Sequence, residues 1–348
     1  MISHSKPTIS QKEINAVSAV LKSGLLAQGR LVTRFEQDLR KFIKTSFAVA
    51  TNSGSSALHL ALLGLKIRPQ DEVIIPSYVC AGVLNAVNYV CAKARLVDIN
   101  PDDFNISADS VRKNISLKTK AIIVPHMFGL AADLDGLKKF KIPLIEDCAL
   151  SIGATYKGRQ VGSFGDAAVF SFYATKMLTT AEGGGLATNR SDIYSFARDK
   201  RDYDNKDSYQ LRFNYKMNEI QAAMGIEQLK RINQFISHRQ KIASMYNNSL
   251  SGLGIGLPEA PAHRVHVYFR YCIKSKNCAE SIIKKLRGLG IEAKRPVFKP
   301  LHNYLGLSNK DYPVTTQVYK SVVSLPIYPQ LKEEQVRFVI DKVRRILK

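Results

Sequence analysis

Six short apolar runs in the first two thirds of this 348-residue chain do most to limit what it can fold into. They fall at residues 47–50, 73–76, 94–97, 121–124, 142–145 and 167–170. Each is nearly continuous in apolar side chains rather than alternating, the pattern of a strand buried on both faces. Helical patterns separate them, as at 55–65 and 80–90. Short buried strands alternating with helices predict a mostly parallel sheet with helices on both sides. Beyond residue 190 the texture changes. Residues 191–213 are polar and turn-rich, and one long helical pattern follows from 218 to about 248, carried by Ile220, Ala223, Met224, Leu229, Ile232, Phe235 and Ile236. A Gly/Pro-rich loop covers 251–258. Strands at 267–273 and 291–294, with helices at 279–289, 316–323 and 333–347, complete a small α+β unit. The expected fold is therefore α/β. A large domain (1–240) includes an N-terminal arm and the start of a long connecting helix, and a smaller C-terminal α+β domain spans 241–348.

Bulk properties narrow the class. The length suits two domains. No apolar run reaches the ~20 residues of a membrane span, and Met1-Ile2-Ser3-His4-Ser5-Lys6-Pro7 lacks the apolar core of a secretory signal. Five cysteines, odd in number and without a C-x-x-C pair, suggest reduced thiols and a cytoplasmic setting rather than a disulfide framework or zinc site. The net charge is the unusual quantity: 51 Lys and Arg against 29 Asp and Glu give +22. Half of that excess falls in residues 251–348, with 18 basic and 7 acidic side chains. A positive field concentrates anionic, phosphorylated ligands, and part of it is simply a solvated surface. No nucleic-acid-binding motif accompanies the charge.

The chemistry concentrates after two of the strands. Asn52-Ser53-Gly54-Ser55-Ser56 joins a strand to a helix, offering backbone N–H groups and the positive end of a helix dipole to a phosphate; a Ser-capped turn reads the same way. Asp147 ends the run 142–145, on the side of an open α/β sheet where ligands bind, although an Asp can equally cap the turn that follows. Ser171 ends another strand, and Lys176 follows in Ser171-Phe172-Tyr173-Ala174-Thr175-Lys176, ahead of Glu182-Gly183-Gly184-Gly185. Taken together, a lysine that can form a Schiff base, a carboxylate for a pyridinium nitrogen and hydroxyls for a phosphate match what pyridoxal 5′-phosphate (PLP) requires.

These motifs, in this order, resemble those of the DegT/StrS class of nucleotide-sugar aminotransferases, PLP enzymes of fold type I related to aspartate aminotransferase. The resemblance covers nearly the whole chain. It includes Gly24-Leu25-Leu26-Ala27-Gln28-Gly29, Asn52 to His59, Asp71-Glu72-Val73-Ile74-Ile75-Pro76-Ser77, Lys120 to His126, Glu146-Asp147-Cys148-Ala149, Gly162 to Asp166, the Lys176 segment, Asn214-Tyr215-Lys216-Met217 with Gln221, and Leu325-Pro326-Ile327. It implies that Lys176 is the catalytic lysine, that Asp147 holds the pyridine nitrogen, and that Ser55, Ser56 and Ser171 bind the cofactor phosphate. Asn214 would reach the phosphate of a neighbouring subunit's cofactor, making the functional unit a homodimer with shared sites. Cys80 stands at the ring-stacking position. L-Glutamate and a nucleotide-diphosphate keto-6-deoxysugar, 4-keto first, would be the substrates, serving amino-sugar and polysaccharide biosynthesis. Arg295, Lys299 and His302 lie in a region where the family contacts its sugar nucleotide, and the same stretch also reads as a basic solvated loop.

Three positions depart from the family pattern, one of them Cys80, which stands where the ring-stacking residue is often aromatic. Leu150 replaces a hydrogen-bonding Gln or His beside the cofactor ring, and Lys216 stands where Arg is common. A PLP-dependent sugar dehydratase and a catalytically silent sugar-nucleotide-binding regulator are the alternatives. Retention of Lys176 with Asp147 favours amino transfer over both.

Overall fold

The computed structural model describes residues 1–347. Helices α1 (Gln11–Ser23) and α2 (Arg30–Ile43) precede strand β1 (Phe47–Thr51). There follow α3 (Gly54–Gly64), β2 (Glu72–Pro76), α4 (Ala81–Tyr89), β3 (Lys93–Val97), α5 (Ala108–Asn114), β4 (Thr119–Pro125), α6 (Leu134–Lys138) and β5 (Leu144–Asp147). A two-residue hairpin, β6 (Thr155–Tyr156) and β7 (Arg159–Gln160), leads to β8 (Ala167–Ser171), β9 (Gly184–Thr188) and α7 (Ser191–Lys200). The central sheet has seven strands in the order β1-β9-β8-β5-β4-β2-β3. Neighbours from β8 through β3 run parallel, while β9 is antiparallel to both β8 and β1. The carboxyl ends of β1, β2, β4, β5 and β8 therefore share one edge, the edge where open α/β sheets bind ligands.

Period-two alternation sorts the strand side chains into two cores. Leu144, Ala168 and Phe170 join one, packed under α2 with Phe35, Leu39 and Ile43. Ile145, Ala167 and Val169 join the other, under α3 and α4 with Leu58, Leu60 and Val83. The amphipathic spacing of α2 accounts for its buried stripe of Val32, Phe35, Leu39 and Ile43. Its first turn begins at Gly29, which has no capping side chain. Glu219 supplies the missing acceptor from a distance, taking the N–H groups of Gly29, Leu31 and Val32 at 3.0, 2.9 and 2.9 Å.

The single helix expected over 218–248 is two, α8 (Glu219–Lys230) and α9 (Ile232–Leu250). The break is at Arg231, with φ −105° and ψ 0°, where the side chain donates to Ser10 (2.8 Å) and Glu13 (2.9 Å) instead of lying along a continuous helix. Helix α9 passes between cores: Phe235 and Ile236 pack on the large sheet, and Ile242, Ala243, Tyr246 and Leu250 pack with the C-terminal half.

That half comprises β10 (Arg264–Val265), β11 (Tyr271–Lys274), α10 (Ala279–Gly288), α11 (Leu301–Tyr304), α12 (Pro313–Ser321), β12 (Val322–Leu325) and α13 (Glu333–Leu347). Antiparallel β11 and β12 form its small sheet. The strand expected over 267–273 starts only at Tyr271, because the backbone turns at Tyr268 with φ 50°. The helix expected to reach 323 stops at Ser321, where two valines enter β12. Residues 291–294 contribute isolated bridges rather than a strand, Ile291 to Ile2 and Lys294 to Ser324. The N-terminal arm is thereby tied to the C-terminal half rather than to the large sheet alone.

Candidate active site

Helix α3 starts directly after β1, and its first turn faces the open edge. Ser53 caps it, accepting from the Ser56 N–H at 3.1 Å. The first-turn N–H groups of Gly54 and Ser55 cannot bond within the helix and point outward. The Ser55 hydroxyl is exposed and has no partner among the described residues. Ser56 differs: it is buried, and its hydroxyl donates to Asn52 at 2.6 Å, so it braces the loop rather than facing the cavity. Ser171 ends β8 opposite this turn. A β-carbon on residue 54 would stand 2.9 Å from Ser171 Cβ and 3.2 Å from the Phe170 carbonyl oxygen, so glycine is what lets helix and strand end approach. Gly184, paired with both Thr51 and Ser171, closes the cradle from behind, since a β-carbon there would lie 2.3 Å from Ser53.

Asp147 ends β5. Its Oδ1 accepts the Ala149 N–H at 3.0 Å, which turns the chain and fixes the carboxylate, while Oδ2 has no partner among the described residues. The preceding Glu146 points to the opposite face and is fully buried. It accepts from His126 Nε2 (3.0 Å) and from the N–H groups of Gly162, Phe164 and Gly165 (2.7 Å each). Burial raises the Glu146 carboxyl, but His126 and these N–H groups outweigh it and hold the group below its ordinary range.

Lys176 lies in the segment between β8 and β9. That segment is closed by the Phe172 N–H to the Gly183 carbonyl (2.9 Å) and the Thr180 N–H to the Phe172 carbonyl (2.8 Å). The Lys176 ammonium stands over the Phe269 ring, 5.4 Å from its centroid. Burial holds it below the ordinary lysine range, against the opposing pull of Asp147. Burial likewise raises the Asp147 carboxyl, opposed by the Ala149 N–H and by Lys176. A low-dielectric pocket thus pushes acid and amine alike toward neutrality.

Ser55, Cys80, Asp147, Ser171 and Lys176 line one chamber of about 270 Å³. A second, of about 230 Å³, shares Cys80, Asp147, Ala149 and Lys176 with it and extends outward to Leu150, Phe269, Arg270, Phe298, Lys299 and Tyr304. The two form a continuous cleft with Lys176 and Asp147 at the join. Free hydroxyls and N–H groups at one end, an acid with an open oxygen, and a lysine of lowered basicity fit a PLP molecule, phosphate toward α3.

Of the expected substrate residues, only Lys299 reaches the cleft. Arg295 is turned away: its guanidinium donates to the Tyr319 carbonyl, pairs with Glu280 at 3.3 Å and covers the Tyr319 ring. His302 is buried behind the wall, joined to Ser77 Oγ (2.6 Å) and Asn309 (2.9 Å) and stacked on Tyr312. Both are committed internally. Asn214 lies outside the cleft, exposed, with its carbonyl accepting from Asn52 at 3.0 Å. Tyr78 is buried against Phe128 and not available to stack on a ligand. Lys216 pairs with Asp202 (2.8 Å) and Asp204. Sequence reasoning missed Phe269 and Arg270, which come from the C-terminal half beyond the turn at Tyr268.

Comparison with known proteins covers the same span. The sequence profile of the DegT/DnrJ/EryC1/StrS aminotransferase family matches residues 7–344. The chain is similar to GDP-perosamine synthase of Caulobacter vibrioides, 34% identical over 337 residues that make up 92% of this chain and 91% of that protein. It is also similar to dTDP-3-amino-3,4,6-trideoxy-alpha-D-glucose transaminase of Micromonospora megalomicea subsp. nigra, 30% identical, covering 96% of this chain and 94% of the other. Among solved structures, the PLP form of Spr1654 from Streptococcus pneumoniae superposes with a TM-score of 0.93 at 27% identity, over 99% of this chain and 98% of that one.

Proposed function

The chain belongs to the DegT/DnrJ/EryC1/StrS aminotransferase family, and from that premise we propose that it moves an amino group from L-glutamate to the keto carbon of a nucleotide-diphosphate keto-6-deoxysugar. The 4-keto isomer is the first choice, and the working form is a cytoplasmic homodimer. The observation that carries the reading is the convergence of Lys176, Asp147, Ser55 and Ser171 on one chamber.

Bound in that chamber, PLP supplies an electron sink for the carbon that gains or loses the amine. The chain's own residues do the rest. Lys176 would bind the cofactor's aldehyde carbon and, once displaced by an incoming amine, its Nζ would carry a proton from the donor's α-carbon to that cofactor carbon, and in the second half from the cofactor carbon to the sugar carbon that receives the amine. Burial lowers its basicity and so raises the fraction of free amine at a given pH. Asp147 would hold the ring nitrogen with its open oxygen and favour a proton there. Ser55, Ser171 and the first-turn N–H groups of α3 would hold the phosphate. Cys80 lies against the space between them. The outer chamber suits the sugar nucleotide, with Lys299 as the cation for its diphosphate. The named activities of the GDP- and dTDP-sugar relatives support this substrate class. Asn214, exposed and outside its own cleft, would reach the cofactor phosphate of a partner subunit.

The test is to load the protein with PLP and supply glutamate with a panel of 4-keto and 3-keto sugar nucleotides, measuring 2-oxoglutarate and the aminated sugar. Stoichiometric formation of both is expected with at least one 4-keto sugar. Deoxygenated or dehydrated sugar without glutamate consumption would defeat the proposal.

A further inference from the structure

We propose that Arg270 binds the carboxylate of the amino donor, held in position by His4 of the N-terminal arm. This rests on the reading of the cleft as an aminotransferase site.

Arg270 lines the outer chamber beside Lys176. Its guanidinium carbon lies 4.6 Å from the centroid of Phe269, the same ring that carries the Lys176 ammonium. No carboxylate lies within ion-pairing distance of Arg270 among the described residues. The nearest acid in charge terms, Glu292, is already engaged by the His4 N–H (2.9 Å) and by Lys294 (2.9 Å). Among the described residues the one side-chain hydrogen-bond partner of Arg270 is His4, with Nη1 2.9 Å from Nδ1. Arginine only donates, so His4 Nδ1 must accept, and Nε2 then carries the hydrogen given to Ser324 Oγ at 2.9 Å. His4 is therefore a neutral acceptor of fixed tautomer, which directs the guanidinium without cancelling its charge. Arg239, buried nearby, donates to the carbonyls of Tyr268, Phe269 and Ile327 and also has no acid partner among the described residues. A partly buried guanidinium with neutral support, facing a ligand cleft, is an anion site waiting for its counter-charge.

Two anions enter this cleft, and position separates them. A donor carboxylate is bonded directly to the carbon that reacts at Lys176. The diphosphate of a sugar nucleotide is separated from its keto carbon by the hexose ring. Arg270 shares Phe269 with Lys176, so it suits the near anion. Lys299, on the outer wall against Tyr304 (4.7 Å), suits the far one. The arm reaches this place because Ile2 pairs with Ile291 and the Glu292 N–H donates to the Ile2 carbonyl at 2.9 Å.

The experiment compares wild type with Arg270→Gln, Arg270→Lys, His4→Leu and His4→Gln, each first checked for wild-type far-UV circular dichroism and PLP titration. Two quantities are read. One is the affinity of the PLP-loaded protein for glutarate, with inorganic pyrophosphate as the competing anion. The other is KM for glutamate against KM for the sugar nucleotide. Arg270→Gln should weaken glutarate binding and raise KM for glutamate about tenfold or more, leaving pyrophosphate affinity and the sugar KM unchanged. Arg270→Lys should fall between. His4→Leu should raise KM for glutamate with little change in kcat, and His4→Gln, which keeps an acceptor, should restore it. A rise confined to the sugar KM or to pyrophosphate affinity would assign Arg270 to the diphosphate and overturn the proposal, and so would unchanged constants. If wild type consumes glutamate but aminates no sugar, the proposed acceptor fails while the Arg270 result still stands on its own.

Discussion

Lys176 and Asp147 meet in a pocket that disfavours charge on either, and this sets when the amine can react. The unprotonated amine attacks the aldehyde, and burial lowers the Lys176 pKa. The rate at which the PLP-free protein combines with PLP should therefore rise with pH through a midpoint below the ordinary lysine value of about 10.4. Stopped-flow absorbance across pH measures it, and a midpoint at or above that value would remove the desolvation argument. Stability of the PLP-free protein should follow the same sign. Between the folded and ordinary values the unfolded chain binds the extra proton, so stability climbs as pH rises through that window. Glu146 has the same sign in a more acid window. Its folded pKa is depressed, so its contribution is present above the ordinary glutamate range and is lost as pH falls through the folded value. Glu146→Gln sets an amide against N–H donors and should cost about 1–3 kcal/mol at neutral pH, with the gap to wild type closing in acid. Urea midpoints at several pH values would read both. Asp147 and Lys176 stood out as candidates in the sequence because one closes the apolar run of β5 and the other follows that of β8. Arg270 did not, because its meaning depends on His4, 266 positions away. For a related reason, the sequence did not show that Arg295 and His302 already have internal partners. A basic residue in a loop announces its charge, but not the Glu280 or Ser77 that already occupies it.

At the scale of elements, the phosphate cradle is a contact between three strand ends and one helix start. Thr51, Ser171 and Gly184 lie side by side in the sheet, and α3 begins three residues after Thr51. Gly184 has no room for a side chain, because a β-carbon would press on the backbone of Ser53 and Gly54 at 2.3–2.5 Å. Gly184→Ala must push the first turn of α3 away from Ser171. It should cost about 1–3 kcal/mol in stability and weaken PLP binding by more than the same substitution at exposed Gly288, which has open space around it. PLP titration of the two variants gives the comparison, and equal affinities would separate the cradle from the cofactor. The buried parallel strands were legible because continuous apolar runs have few other uses. Strand β9 was harder to see, since Gly184-Gly185-Leu186-Ala187-Thr188 carries a turn-like composition. Strand β12 was hidden by its attachment to α12, and the break between α8 and α9 by apolar spacing that continues through Arg231. Its cause is a tertiary partner, Glu13, which local periodicity cannot report.

Across the whole molecule, the cleft is assembled from distant parts of the chain: a helix start near residue 54, strand ends at 147 and 171, and a wall from 269 to 304. Helix α9 and the N-terminal arm both link the two cores, so the wall that carries Arg270 is tied to the sheet that carries Lys176. Asn214 is the residue this assembly leaves over. It is exposed and lies outside the cleft of its own chain, and the proposed homodimer gives it a neighbour's cleft to serve. If the sites are shared in this way, complementation follows by counting. Lys176→Ala alone should abolish transfer, and Asn214→Ala alone should weaken PLP binding and turnover. In a mixed dimer, the Asn214→Ala protomer keeps Lys176 and receives an intact Asn214 from its partner, so one site of the two is native. The other site carries both defects. Random exchange at equal amounts makes half the dimers mixed, which predicts recovery of roughly a quarter of wild-type activity from two impaired parents. Unfolding and refolding the two variants together, then assaying 2-oxoglutarate against a mixture refolded separately, measures it. If each site is completed by its own chain, mixing yields no native site and the co-refolded sample gains nothing over the separate one.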